Sequence, residues 1–592
     1  MDRQSTIGFV LITLVLIAWM WLQTPPAGEQ HQAQQDTTAA QGAQSPAAVV
    51  PPPAIGERVQ ADSLGRFFAA RQHGRERVIA VETDLYRAEL TTLGGTFRTW
   101  ELREFKTWDG HPVQLIDYAA GRDLSVLFTS ADGKLVNTSR LYFDADQTSG
   151  VSVTLSGTDS RTVTMTLPVE GGGTLVKRYT FRNGTYLVDI EVEFRNLGAV
   201  VSNFEYQVVW EHGVRYAEGN SVDESTFAMA YASSGGEIME LDVSGVGETD
   251  SRDLNGKTAW VATRNKYFGV ALIAPGEAAQ GAYLEGDHRA EANGGSVERY
   301  AVALKMPFRG APTETSRVTV FMGPLEYDGV RDLGVGLEKV MNLGAAWIIR
   351  PISEYLMIPL FRILKAVIPN YGWVIVVFSL IIKVVLHPLT KSSMNSMRRM
   401  QALSPMMNEI REKHKDNPEK MNQAVMNLYK EYGVNPASGC LPLLLQMPIM
   451  FALYSVLRSS IELRQANFMG WITDLSIPDA LMKLPFTIPI FGIHEVSGLA
   501  LIMGVTMFVQ QKMTVTDPRQ KSMVYVMPVM FTLLFNNFPS GLNLYYLVFN
   551  VLSIGQQMWI NKRHGNEPLR KVEPKKQTGL MSRIAKDLPK LK

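Results

Sequence analysis

The chain has 592 residues, 46% of them hydrophobic, and a formal net charge of +1. That length is too great for one domain, and so balanced a charge excludes a dedicated nucleic-acid binder. A single cysteine, Cys440, excludes an intramolecular disulfide. It heads an apolar run with no His or Cys near it in sequence, so it reads as a small packed residue.

Ile7 to Leu22 is an apolar run broken only by Thr13, with Trp19 and Trp21 near its far end. Tryptophans favour membrane interfaces. Gln23-Thr24-Pro25-Pro26 follows, with no small-residue cleavage pattern, so residues 1–22 read as an uncleaved anchor rather than a signal peptide. Residues 23–58 are rich in Gln, Ala and Pro and end in Val50-Pro51-Pro52-Pro53. Such a composition builds no core and serves as a disordered tether.

Residues 59–340 carry short alternating runs between Gly and Asn/Asp turns. Examples are Arg77 to Thr83, Val151 to Leu155 and Tyr186 to Phe194, the last preceded by the turn signal Arg182-Asn183-Gly184. Val318 to Met322 ends the series. The spacing predicts a large antiparallel β-sandwich. No run here approaches membrane-spanning length, so the whole region lies on one side of a membrane.

Residues 343–368 are apolar but hold Arg350, Glu354, Arg362 and Lys365. At about 100° per residue these four share an arc of about 120°. An amphipathic helix lying in the interface plane is expected, bent at Pro351 and Pro359. Five spanning candidates follow in 371–560: Tyr371 to Leu386, Cys440 to Leu457, about Val496 to Gln511, Met523 to Phe535, and Leu542 to Ile560. Between the first two, 391–432 reads as a helical hairpin outside the bilayer. Met397, Met400, Leu403, Met407 and Ile410 mark one apolar stripe, and Met421, Val425, Leu428 and Tyr432 mark the other.

Positive charge sets the orientation. The loop 388–439 holds eight Lys/Arg, and the tail 561–592 holds ten against three acids. The pattern fits six spans, counting the anchor, with both termini cytosolic and the β-domain periplasmic. If 343–368 also crossed, the basic loop 388–439 would fall on the wrong side.

Lys383 lies well inside an apolar run, with Ser379 one turn before it. A charge at bilayer depth costs roughly 2.5–3.5 kcal/mol on insertion scales and usually faces a partner or a wet cavity. The plainer alternative is a lysine that snorkels to the headgroups. In the last span Asn543, Tyr546, Asn550, Ser553 and Gln557 recur at steps of three and four, which puts them on one face. The remainder of that helix, Phe549 included, reads as its opposite, apolar side. Gln446 and Gln510 add polar atoms in neighbouring spans. Polar groups in lipid need partners, so these should converge; ordinary interhelical hydrogen bonding is the bland alternative. The sharper reading is a hydrophilic groove open to the cytosol, with Lys383 as its cation. The abundant methionines suit a surface that accepts varied apolar partners, or merely fill gaps.

Several blocks in order resemble the YidC family of membrane protein insertases, which is related to the mitochondrial and chloroplast insertases. They are His387-Pro388-Leu389-Thr390, Val434 to Pro442, Leu445-Gln446-Met447-Pro448, Glu462 to Ala466, Val515-Thr516-Asp517-Pro518, and Phe538 to Tyr546. The resemblance implies a five-helix insertase core within 371–560 and a periplasmic β-supersandwich. It implies an insertase and chaperone for nascent inner-membrane proteins, working alone or with the Sec translocon (SecYEG and SecDF). It implies contacts to substrate through Lys383, Ser379, Gln446, Met450, Tyr546 and Asn550. The family usually has Arg where Lys383 stands, so charge survives here while bidentate geometry does not. The basic tail and cytosolic loops would meet the ribosome, and lipid would surround the core. No catalytic residue, metal or cofactor is expected, and the chain has no phosphate-binding G-x-x-x-x-G-K-[ST] loop. Two rivals are a small-solute transporter or channel, and a tethered carbohydrate-active enzyme using Glu211 and His212. The second is weakened because adjacent residues on a strand point to opposite faces.

Overall fold

The computed structural model describes residues 64–564 apart from 148–151, 278, 292–293, 416, 435–440, 489–491 and 515–521. The predicted anchor, the tether, Cys440, the Val515-Thr516-Asp517-Pro518 block and nearly all of the basic tail lie outside the described residues. The chain divides into two compact units between Met341 and Asn342.

In the first unit alternation writes the strands. Leu187–Arg195 buries Val188, Ile190 and Val192 and turns Asp189 and Glu191 outward. Gly173–Arg182 pairs antiparallel with it, and Gly184, at φ +73°, allows the turn between them. The strands assemble into a 14-stranded sheet and a five-stranded sheet. Their apolar faces meet: Phe97, from the smaller sheet, sets its ring edge-on to Tyr179 and Phe181, from the larger, with centroids 5.5 and 6.2 Å away. The sandwich is therefore as expected, with one difference. Ser152–Thr154 pairs parallel with Val78–Glu82. A long excursion separates the two in sequence, so the constraint that makes hairpins antiparallel is absent.

The second unit is helical. Helicity begins at Ile349, later than the predicted 343, and Gly344, at φ +91°, rules out a helix running through that position. After Ile349–Ile352 the chain makes one wide π-type turn, Ser353–Met357, and continues as α1 (Ile358–Val367). Arg350 Nε donates to Glu354 Oε1 at 2.7 Å across one turn. Helix α2 (Tyr371–Ala402) then runs unbroken for 32 residues, through Pro388. Hence the first arm of the predicted 391–432 hairpin starts as a continuation of the apolar helix. It is completed by α3 (Ser404–Lys413) and α4 (Pro418–Glu431), the latter capped by Asn417, whose side chain accepts from Lys420 N–H. Both predicted stripes meet in one cluster of Leu403, Met407, Leu428, Tyr432 and Val434.

Four helices follow: α5 (Leu441–Ser459), α6 (Gly498–Thr514), α7 (Met523–Phe535) and α8 (Ser540–His564). Helix α8 packs on α2 and α6. The N-terminal ends of α2 and α8 and the C-terminal end of α7 are tied to the segment 460–497. Asn370 donates to Asn467 O at 3.0 Å, Ser540 N–H to Ile477 O at 2.8 Å, and Ser497 N–H to Asn536 Oδ1 at 2.9 Å. Part of that segment is a two-stranded hairpin, Ala480–Ile488 with Ile493–Ser497, just before the span expected from about Val496. Among the described residues, one stretch, Tyr371–Pro388, is long and apolar enough to cross a bilayer by composition alone; Met523–Phe535 is apolar but short. Among the described residues, length and hydropathy by themselves thus stop short of the five spans expected there. Helix α6 has only 17 residues, and the polar face of α8 dilutes its apolar content.

Candidate functional site

Lys383 stands on α2 and its side chain reaches α8. Its Nζ donates to Ser553 Oγ at 2.5 Å and lies 4.3 Å from the centroid of the Phe549 ring. Lys383 is 8% exposed. Among the described residues no carboxylate pairs with it. A hydroxyl and a ring face are weak partners for a desolvated ammonium ion.

The polar face of α8 is where periodicity placed it. Asn543, Asn550, Ser553 and Gln557 are all buried. Asn543 Nδ2 donates to Phe535 O at 3.1 Å, at the end of α7, while its Oδ1 is buried without a partner. Ser553 Oγ also donates to Phe549 O at 2.7 Å, on its own helix. Ser379 is fully buried and donates to Ile375 O at 2.7 Å. Tyr546 is half-buried, edge-on to Phe535 at 4.9 Å. Gln446 and Met450 are half-buried on α5, and Gln446 lies beside the Tyr545 hydroxyl.

Of the six predicted site residues, Lys383, Ser379 and Asn550 thus sit buried in the α2 and α8 helices, and Tyr546, Gln446 and Met450 only partly so. Sequence reasoning missed the two groups that hold the lysine. Ser553 was read as part of the polar face but not as a site residue. Phe549, expected on the apolar side, lies instead one turn before Ser553, so the two share a face. The i, i+4 spacing was the available signal.

The β unit holds a second polar cleft, of about 680 Å³, lined by Arg122, Arg140, Glu211, His212, Glu285 and Arg299 among others. Glu211 and His212 both line it, so the expectation that they point to opposite faces is corrected. Their strand, Glu205–Trp210, ends one residue earlier, and alternation no longer applies. Both backbone N–H groups donate to Asp123 Oδ1, at 2.9 and 2.8 Å. Burial raises the Glu211 carboxyl. Burial opposes a charge on His212, but the hydrogen bond and charge of Asp123 outweigh it and raise its pKa.

Comparison with known proteins separates the readings. Residues 363–567 match the family described as 60Kd inner membrane protein, and residues 78–355 match the YidC periplasmic domain. The membrane protein insertase YidC of Chloroherpeton thalassium is 40% identical over 600 residues, covering 99% of this chain and 100% of that protein. The chain belongs to the YidC family. The membrane protein insertase YidC of Chlorobaculum parvum is 39% identical, with 96% of each chain covered. A crystal structure of an active YidC insertase with its first transmembrane domain resolved aligns over 82% of this chain and 93% of that one, at 21% identity and a TM-score of 0.35. Membership of the family rests on the sequence relatives. Both relatives bear the name of a membrane protein insertase.

Proposed function

We propose that the chain is a membrane protein insertase and chaperone of the bacterial inner membrane, and that the Lys383 site receives the polar flank of a nascent membrane protein. One observation carries this reading: a lysine held inside a helical bundle by Ser553 and Phe549, with no acid beside it among the described residues. An acidic flank would offer that ammonium a stronger partner than a neutral hydroxyl. The exchange draws the flank into a groove along α2 and α8, hydrates it, and lowers the cost of carrying polar groups into hydrocarbon. The apolar segment then slides along α5, past Met450, and its burial in lipid drives the step.

In this reading the core crosses the bilayer five times and the N-terminal anchor once. Both termini and the α3–α4 hairpin are cytosolic, and the β unit, a supersandwich, is periplasmic. The amphipathic segment 343–368 lies in the interface. The Sec translocon, the ribosome and membrane lipid are the expected partners, the ribosome through the basic tail and loops.

Site-specific photocrosslinking tests this. Probes at Ser379, Met450 and Tyr546 should each capture a stalled, ribosome-bound membrane protein. Crosslinks confined to lipid or to the chain itself would reject the reading.

A further inference from the structure

The hairpin Ala480–Ile488 with Ile493–Ser497 is an unusual object. Leu481, Met482 and Phe486 are more than half exposed, at 51%, 59% and 62%. A two-stranded sheet alone in water is marginally stable at best. Yet its base is fixed with care. Buried Asp479 accepts from Trp471 Nε1 at 2.8 Å, from Ser497 Oγ at 2.5 Å and from Leu499 N–H at 2.8 Å. Asn536 Nδ2, at the end of α7, donates to Glu495 O at 2.7 Å. The hairpin is therefore held at a set position on the helix ends, with its apolar side chains uncovered.

We propose that this hairpin is a lipid-binding paddle that lies in the interfacial layer of the outer leaflet. The inference rests on the reading of α6 as a membrane span. Continuity then supplies the occupant. The second strand runs directly into α6 at Gly498, and the exposed apolar side chains continue along α6 through Leu501 and Val505. Trp471 and Trp373 are part-exposed at the same end of the bundle, as interface anchors are. The hairpin's two charged side chains, Lys483 and Glu495, pair with each other at 3.3 Å. The open strand edges fix the depth. Unpaired backbone N–H and C=O groups do not enter hydrocarbon, whereas headgroups and water satisfy them. The paddle therefore lies flat at headgroup level.

The test uses the full chain with Cys440→Ser, reconstituted in vesicles of phosphatidylethanolamine and phosphatidylglycerol. A fluorophore is placed at Phe486→Cys or, separately, at Val505→Cys on α6. Lipids spin-labelled near the headgroup should quench the 486 probe several-fold more than lipids labelled at the chain end, and iodide should quench it little. Strong iodide quenching with no lipid quenching overturns the proposal. So does protection from both, which would make a second copy of the chain the occupant. The 505 probe separates the causes of failure. If it is lipid-quenched while 486 is not, the paddle alone is wrong; if neither is, the span reading of α6 has failed too. In a further variant, Met482→Asp with Phe486→Asp, a probe at Leu481→Cys should lose lipid quenching while the 505 signal stays unchanged. Retention of quenching at 481 would also overturn the proposal.

Discussion

At Lys383 the deciding quantity is the strength of its present partners. The ammonium is held by one hydroxyl and one aromatic face. These stabilise it less than a carboxylate would, so the site is poised to trade them for an acidic ligand. Charge, rather than fork geometry, is what the position supplies. Lys383→Arg should therefore retain insertion, while Lys383→Glu should impair substrates with acidic flanks by roughly tenfold, about 1.4 kcal/mol, and those with neutral flanks much less. Insertion assays on paired substrates that differ only in flank charge measure this. Equal loss for both would discard charge attraction. Lys383, Ser379 and the α8 face could be read from sequence because polar residues are conspicuous in apolar runs and their spacing is helical. Phe549 shares a face with Ser553 by their i, i+4 spacing, but that Lys383 meets both could not be read, because it depends on how α2 is rotated against α8.

Among the elements, the strands of the β unit were legible because one face is buried, and a period of two then has to appear in the residues. The helices were legible in place but not in extent. The first span of the core was expected to end at Leu386, yet α2 continues through Pro388 to Ala402. The hairpin before α6 went unseen because its exposed apolar residues look like the start of a span. The α3–α4 pair is a small satellite core, with Leu428 8% exposed inside the cluster and Tyr429 Oη donating to Met407 Sδ at 2.9 Å. Leu428→Ala should loosen this pair by about 2–3 kcal/mol. Hydrogen exchange in α3 and α4 should rise accordingly, with α2 and α8 unaffected. Uniform loss of protection throughout the bundle would show that the hairpin is not a separate packing unit.

Across the molecule, the two units answer to different chemistry, and the β unit should respond to pH. Glu298, hydrogen-bonded by Tyr300 Oη at 2.6 Å, is pushed up to about 8 by burial, with the charge of Asp242 adding to the shift. Its ordinary value is 4.5. Between those values the folded state holds a proton that the unfolded chain has lost. Its contribution to stability is complete below 4.5 and is lost as pH rises through 8. Glu298→Gln should therefore stabilise the β unit at pH 8 and change little at pH 4. Thermal unfolding followed by tryptophan fluorescence at the two pH values checks the sign; a gain confined to the acid side would contradict it.

Insertion by this route requires water and substrate to reach a cation held between α2 and α8. The most direct measurement is thiol labelling of Lys383→Cys in the Cys440→Ser chain, in inner-membrane vesicles, with a charged reagent that cannot cross lipid. Added from the cytosolic side, the reagent should modify position 383, and a stalled acidic-flanked nascent chain should block it. If position 383 stays unlabelled while a control cysteine at Ser396 reacts fully, the site is dry and the account fails.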